Sequence, residues 1–139
     1  MKIILSVLLL ATTFFSFAQD AALKKGNTVF VQQISANDNV KDYTNDFANE
    51  LQDWGYWKIT SSKDNADFII DLNFDSHKGI TLTSWGGESV MVSAKFHTKS
   101  GDKLFQTETY QASPNGSNGF NGGKSSIKKL IRGLKKHFN

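Results

Sequence analysis

The stretch Ala66–Asp75, which reads Ala-Asp-Phe-Ile-Ile-Asp-Leu-Asn-Phe-Asp, decides the fold of this chain. Apolar side chains recur in it at every second residue, which is the period of a β-strand: Phe68, Ile70, Leu72 and Phe74. Polar side chains alternate with them, which predicts one buried and one solvated face: Asp67, Asp71, Asn73 and Asp75. We expect this strand at the centre of the sheet.

The residues before this strand predict a strand, a helix and a second strand. Asn27–Ile34 is rich in β-branched and aromatic residues and predicts the first strand. Apolar residues from Val40 to Trp54 follow at spacings typical of a helix, which Gly55 can end in a left-handed conformation. Tyr56–Ser61 predicts the second strand. This order favours parallel pairing through a right-handed connection.

The residues after the central strand predict a hairpin, a loop and a helix. Ser89–Thr98 and Lys103–Gln111 predict two antiparallel strands, and Ser113–Lys124 predicts a mobile loop rich in glycine and asparagine. An amphipathic helix is predicted from near Ser125 to the end of the chain. The sequence therefore predicts a two-layer α/β (α+β) sandwich, in which a mixed sheet of four or five strands carries two helices on one face.

The amino terminus has the features of a secretory signal peptide. Lys2 precedes an apolar run from Ile3 to Phe17, and small residues at Ser16 and Ala18 predict cleavage after Ala18. A membrane anchor is the alternative, but the run is shorter than the roughly 20 apolar residues that a span needs. We expect residues 1–18 to be removed and residues 19–139 to form a single domain.

The chain of 139 residues contains no cysteine. It therefore has no disulfide framework, no thiol chemistry and no cysteine on which a bacterial lipid anchor could be built. We expect an exported bacterial protein, periplasmic or extracellular, that is not lipid-anchored. Secretion from a eukaryotic cell is the alternative, and it would make Asn115-Gly116-Ser117 a glycosylation sequon.

Charge is unevenly distributed along the chain. Acidic residues dominate from Asp38 to Asp75, whereas the residues from Lys124 onward include six bases and no acid. Two helices with oppositely charged outer faces explain this pattern, and an anionic membrane surface is a possible partner of the basic one. No nucleic acid partner is expected. The basic residues of the predicted terminal helix are Lys128, Lys129, Arg132, Lys135 and Lys136.

No motif predicts a catalytic residue, a metal site or a cofactor. Asp71, Asn73 and Asp75 match the first ligand positions of a calcium loop, but Ser76 and Leu82 stand where the loop needs glycine and glutamate. The three histidines have no second ligand at zinc-site spacing. The alternation of the central strand explains these carboxylates as its solvated face.

Two loops present a large aromatic residue among small ones. They are Trp85-Gly86-Gly87 and the segment around Phe120, and we predict that Trp85, helped by Phe120, anchors a protein or glycan ligand. Packing of both rings on the domain itself is the alternative.

The chain resembles a loose group of bacterial envelope domains in its predicted order of elements. Ala66–Ile70 after the second strand and Ser100–Phe105 in the hairpin carry the resemblance. The group includes the amino-terminal domain of TolB, the lipoprotein activators of penicillin-binding proteins and related families of unknown function. The resemblance implies a non-enzymatic α/β domain that makes protein contacts in the envelope.

These observations predict a non-catalytic binding module of the bacterial envelope whose partner is a protein or a glycan. The alternative is a small hydrolase or carbohydrate-active enzyme. It would use Asp71, Asp75 and His97 on the polar face of the sheet.

Overall fold

The structure is a computed structural model and describes residues 21–35, 40–78, 88–114 and 121–139. Within them lie six strands and two α-helices. The strands are β1 (Thr28–Ser35), β2 (Lys58–Ile59), β3 (Phe68–Lys78), β4 (Glu88–His97), β5 (Lys103–Gln106) and β6 (Tyr110–Ala112), and the helices are α1 (Thr44–Trp54) and α2 (Gly122–Phe138).

The strands form one mixed sheet in the order β2-β1-β3-β4-β5, and β6 also pairs with β4. Strands β2 and β3 lie parallel to β1 on its two sides, whereas β3 and β4 are antiparallel. A short 3-10 turn at Lys63–Asn65 leads from β2 to β3. The prediction that the strand in Ala66–Asp75 is central and that the sheet is mixed is confirmed.

Both helices pack on one face of the sheet. The four alternating apolar residues of β3 are completely buried beneath them: Phe68, Ile70, Leu72 and Phe74. Helix α1 contributes Phe47 and Leu51 to the same core, and α2 contributes Ile127, Leu130 and Leu134. The predicted two-layer α/β sandwich is therefore confirmed, with the short β6 as a sixth strand.

Helix α1 begins at Thr44, so Val40 of the predicted apolar face lies before the helix, whereas the end at Gly55 is as predicted. The carboxylate of Asp42 accepts a hydrogen bond from the backbone N–H of Thr44 (2.8 Å), which satisfies one of the free donors of the first turn. Gly55 ends the helix with φ 68°, and its N–H donates to the carbonyl of Leu51.

Helix α2 begins at Gly122 and not near Ser125, so the predicted loop Ser113–Lys124 is too long by three residues. The side chain of Asn121 caps the helix by accepting a hydrogen bond from the N–H of Lys124 (3.0 Å). Packing outweighs the poor helix propensity of the two glycines, because both are buried against other elements.

The strand predicted at Lys103–Gln111 is two strands, β5 and β6. Thr107 separates them, because its hydroxyl accepts a hydrogen bond from the N–H of Ala94 (3.0 Å) and donates one to the carbonyl of Glu108 (2.8 Å). The hydroxyl of Thr107 thus replaces a backbone carbonyl as the acceptor for Ala94. Residues 107–109 belong to no strand, and β6 begins at Tyr110.

Among the described residues, no helix combines the length and the apolar character that crossing a bilayer requires.

Candidate functional site

The sheet face opposite the helices carries a polar network across three strands. Asp71 on β3 accepts a hydrogen bond from the side-chain amide of Gln32 on β1 (2.6 Å). His97 on β4 places Nε2 2.8 Å from Oδ2 of Asp71, without the geometry of a hydrogen bond. Both side chains are largely covered, with 12% of His97 and 15% of Asp71 exposed.

This network is better suited to structure than to catalysis. The carbonyl oxygen of Thr98 lies 2.7 Å from Nδ1 of His97 and can only accept, so Nδ1 is the donor. The other ring nitrogen faces Asp71, which leaves neither nitrogen directed at a substrate. A general base must be within hydrogen-bond reach of the proton that it removes. The network instead joins the side chains of neighbouring strands.

Asp75 does not join Asp71 and His97. It lies four residues further along β3 and contacts Nε2 of His77 at 3.3 Å, and both side chains are exposed. Three cavities in the described part of the chain are lined by other residues. The predicted anchor residues Trp85, Gly86, Gly87 and Phe120 lie outside the described residues, so the ligand site proposed for them stays a prediction.

A cavity of about 650 Å³ lies between the β5–β6 segment and the carboxyl-terminal half of helix α2. We call it the edge cavity, because β5 is the last strand of the sheet. Its volume is typical of ligand sites. The strand side contributes Phe105, Gln106, Thr107, Glu108 and Tyr110, and the helix side includes Lys129, Arg132, Gly133, Lys136 and His137.

The helix side of the edge cavity is cationic. Lys129, Arg132 and Lys136 recur at spacings of three and four residues, which places them along one face of α2. Lys129 donates a hydrogen bond to the backbone carbonyl of Gln111 (2.6 Å). Within the described residues, Arg132 and Lys136 form no ion pair, so both charges are available to a ligand.

Glu108 is the acidic residue among the described lining residues, and it is engaged by Tyr110. Burial raises the pKa of the Tyr110 hydroxyl, and a hydrogen bond to the Glu108 carboxylate together with its charge raises this pKa further. The raised pKa keeps the hydroxyl neutral at physiological pH. The cations Lys129, Arg132 and Lys136 outnumber Glu108, so the lining of the cavity carries a net positive charge.

The aromatic side of the edge cavity is ordered by close packing. The rings of Phe105 and His137 stack with centroids 4.5 Å apart. The hydroxyl of Tyr110 lies against Gly133, where a Cβ atom would overlap it. Gly133 is thus a helix-interior glycine that admits a side chain from the strand.

The sequence does not predict this cavity, because lysines and an arginine opposite the apolar face of a helix are also typical of a solvent-exposed surface. One signal was present: an interior glycine costs a helix about 1 kcal/mol relative to alanine, and Gly133 stands among strong helix formers. Such a glycine indicates close approach of another element.

The charged helices are neighbours on the sheet. Lys124 of α2 lies 3.6 Å from Asp46 of α1. No group of three histidine, cysteine or carboxylate side chains that could hold a metal ion occurs in the part of the chain that the structure describes.

No protein-family model matches the chain. No curated protein matches it either.

Solved structures share the fold at low sequence identity. The PelC dodecamer from Paraburkholderia phytofirmans is 17% identical with a TM-score of 0.57, over 81% of this chain and 87% of that one. A minor lipoprotein from Acinetobacter baumannii is 9% identical with a TM-score of 0.54, over 83% and 92% of the two chains. The uncharacterised lipoprotein B from Nitrosomonas europaea is 8% identical with a TM-score of 0.54, over 84% and 86%. The chain is thus similar in fold to PelC and to two bacterial lipoproteins.

Proposed function

We propose that this protein is an exported, non-catalytic binding module of the bacterial envelope and that the edge cavity is its ligand site. One observation carries the proposal: Arg132 and Lys136 are unpaired within the described residues and stand beside the aromatic surface of Phe105 and His137. The cations can form hydrogen bonds with an anionic group of a ligand, and the rings can contact its apolar part. Ligand sites commonly combine both kinds of contact.

The similar structures support the compartment in this proposal. Two of them are bacterial lipoproteins, and they share the fold over more than 80% of this chain. The particular resemblance to the amino-terminal domain of TolB and to activators of penicillin-binding proteins is part of the proposal.

We also propose that residues 1–18 are removed on export. Intact-mass measurement of protein from its native compartment should then give a chain that begins near Gln19.

Site-specific photocrosslinking in the native bacterium tests the binding role. A photoreactive phenylalanine analogue at Lys136 should give an adduct with an envelope component, which mass spectrometry identifies. The same analogue at Lys128 is the matched control, because Lys128 is an exposed cation of α2 outside the edge cavity. Absence of an adduct at Lys136, or equal adducts at both positions, would contradict the proposed site.

The aromatic loop residues predicted from the sequence offer a second contact surface for the same function. Trp85→Ala should leave the melting temperature nearly unchanged and should weaken capture of the crosslinked component. A large loss of stability would instead identify Trp85 as part of the core.

A further inference from the structure

Strand β5 presents an open backbone edge to the edge cavity. The N–H of Thr107 donates to the carbonyl of Ala94 (3.0 Å), so Thr107 points its amide toward β4. Neighbouring residues of a strand direct their backbone groups to opposite sides. The N–H and C=O of Gln106 therefore point away from β4, to the side where no other described strand lies.

The adjoining β6 edge differs, because Lys129 covers it. Its ammonium group donates to the outward carbonyl of Gln111 at 2.6 Å. Charged residues commonly protect sheet edges in this way. The open part of the edge is confined to β5, and it lines the cavity opposite the cations of α2.

We infer that the edge cavity binds an extended acidic peptide of a partner protein, which adds to the sheet as a strand beside β5. The inference rests on the proposed function and specifies its ligand. A groove between an open strand edge and a helix is a recurrent mode of peptide binding, in which backbone hydrogen bonds give affinity and alternate side chains give specificity.

The charges and rings of the cavity define the peptide. Arg132 and Lys136 favour aspartate or glutamate, since an arginine pairs well with a carboxylate through two parallel hydrogen bonds. Glu108 at the strand side is outnumbered by the three cations of α2, so the cavity as a whole favours an acidic peptide. The apolar surface of Phe105 beneath His137 suits an aliphatic side chain of the peptide.

A synthetic peptide tests the inference directly. The probe is a fluorescein-labelled peptide of about six residues, the usual length of a strand, in which every second residue is in turn aspartate and valine and the residues between are serine, so that aspartate and valine both face α2. Fluorescence anisotropy with the purified protein should show binding that weakens as salt is added. Arg132→Glu should raise Kd at least about tenfold, which corresponds to about 1.4 kcal/mol. Lys128→Glu makes the same charge change outside the cavity and should leave Kd nearly unchanged.

Hydrogen exchange separates strand addition from simple charge attraction. Binding of the peptide should slow exchange of the Gln106 amide, whereas the Thr107 amide is already bonded in the free protein. A peptide of the same sequence with alternate backbone nitrogens methylated should bind at least about tenfold more weakly if it pairs with β5. Equal binding of the methylated peptide, or an unchanged Gln106 amide, overturns the inference.

Other anionic probes identify the competing outcomes. If polygalacturonate or vesicles containing phosphatidylglycerol bind with the same dependence on Arg132 while the peptide does not, the inference is overturned and the proposed binding function stands. If the crosslinking at Lys136 also fails, the proposed function falls with it.

Discussion

Gly123 shows how one missing side chain fixes the position of helix α2. The ring of Tyr43 packs against this glycine, where a Cβ atom would overlap the ring atoms. Tyr43 is itself 9% exposed and lies 5.1 Å from the ring of Phe74 in the core. The ring therefore has little room to move away.

We expect Gly123→Ala to lower the free energy of unfolding. Overpacking a buried site costs about 1–3 kcal/mol, which exceeds the gain of about 1 kcal/mol from the better helix propensity of alanine. Urea unfolding measures the difference. In the Tyr43→Leu background the same change should cost less, because the ring is gone. A Gly123→Ala protein as stable as the wild type would disprove this packing argument.

Asp71 and Asp75 are two carboxylates on the same face of β3, but their surroundings differ. Asp71 is largely covered and holds the amide of Gln32, whereas Asp75 is exposed beside His77. Asp71→Ala should cost about 1–3 kcal/mol, because it leaves the part-buried side-chain amide of Gln32 without its acceptor. Asp75→Ala should cost less than about 0.5 kcal/mol. Chemical denaturation of both variants checks the contrast, and equal losses would show that the network is not a stabilising unit.

At the scale of elements, helix α1 depends on Asp42 for its first turn. Hydrogen bonds from the side chain and the backbone N–H of Thr44 lower the pKa of this carboxyl. The folded pKa lies below the unfolded value, so the interaction contributes stability above about pH 4 and loses it as the pH falls through the folded pKa.

We therefore expect Asp42→Ala to be destabilising at neutral pH and nearly neutral in strong acid. The cost at pH 7 should be about 0.5 kcal/mol, at the low end for a cap, because the carboxylate is exposed to solvent. Unfolding curves of wild type and variant between neutral pH and strong acid provide the measurement. A difference that stays constant over this range would mean that the carboxylate charge is not responsible.

At the scale of the whole molecule, both helices and the sheet share one core. Trp57 connects these parts, because its ring lies 5.3 Å from Phe68 of β3 and 5.0 Å from Phe138 of α2. Its indole N–H also donates to the carbonyl of Leu23 near the amino-terminal end of the described chain (3.0 Å). The structure offers no boundary at which one layer could unfold alone.

We expect a single cooperative transition in which tryptophan fluorescence and far-ultraviolet dichroism coincide. The first reports the ring cluster around Trp57 and the second reports the helices and strands. A fluorescence transition at lower urea than the dichroism transition would contradict the shared core. Trp57→Leu should shift both signals together to lower urea, since truncating a large buried ring costs about 3 kcal/mol or more.

The sequence by itself determined the elements whose patterns are local. The alternation in Ala66–Asp75 predicts a strand buried on one face, and the apolar spacing that ends at Gly55 predicts α1 and its left-handed terminus. The apolar period and the helix-terminal glycine suffice for these two predictions, because each feature depends only on residues nearby in the sequence. The mixed two-layer sandwich followed from the order of these elements.

Only the tertiary structure decided the details that depend on distant residues. Gly122 belongs to α2 because it packs beside Val90, and β5 ends because the hydroxyl of Thr107 bonds to Ala94. The edge cavity arises from two segments that are distant in sequence, around Phe105 and Arg132, and that meet because β5 and β6 pair with β4 while α2 packs on it. Ile69 is 1% exposed on the face that the alternation predicts to be solvated. A local pattern cannot predict such contacts, because the residues that cover a side chain are distant in sequence and depend on how the layers pack.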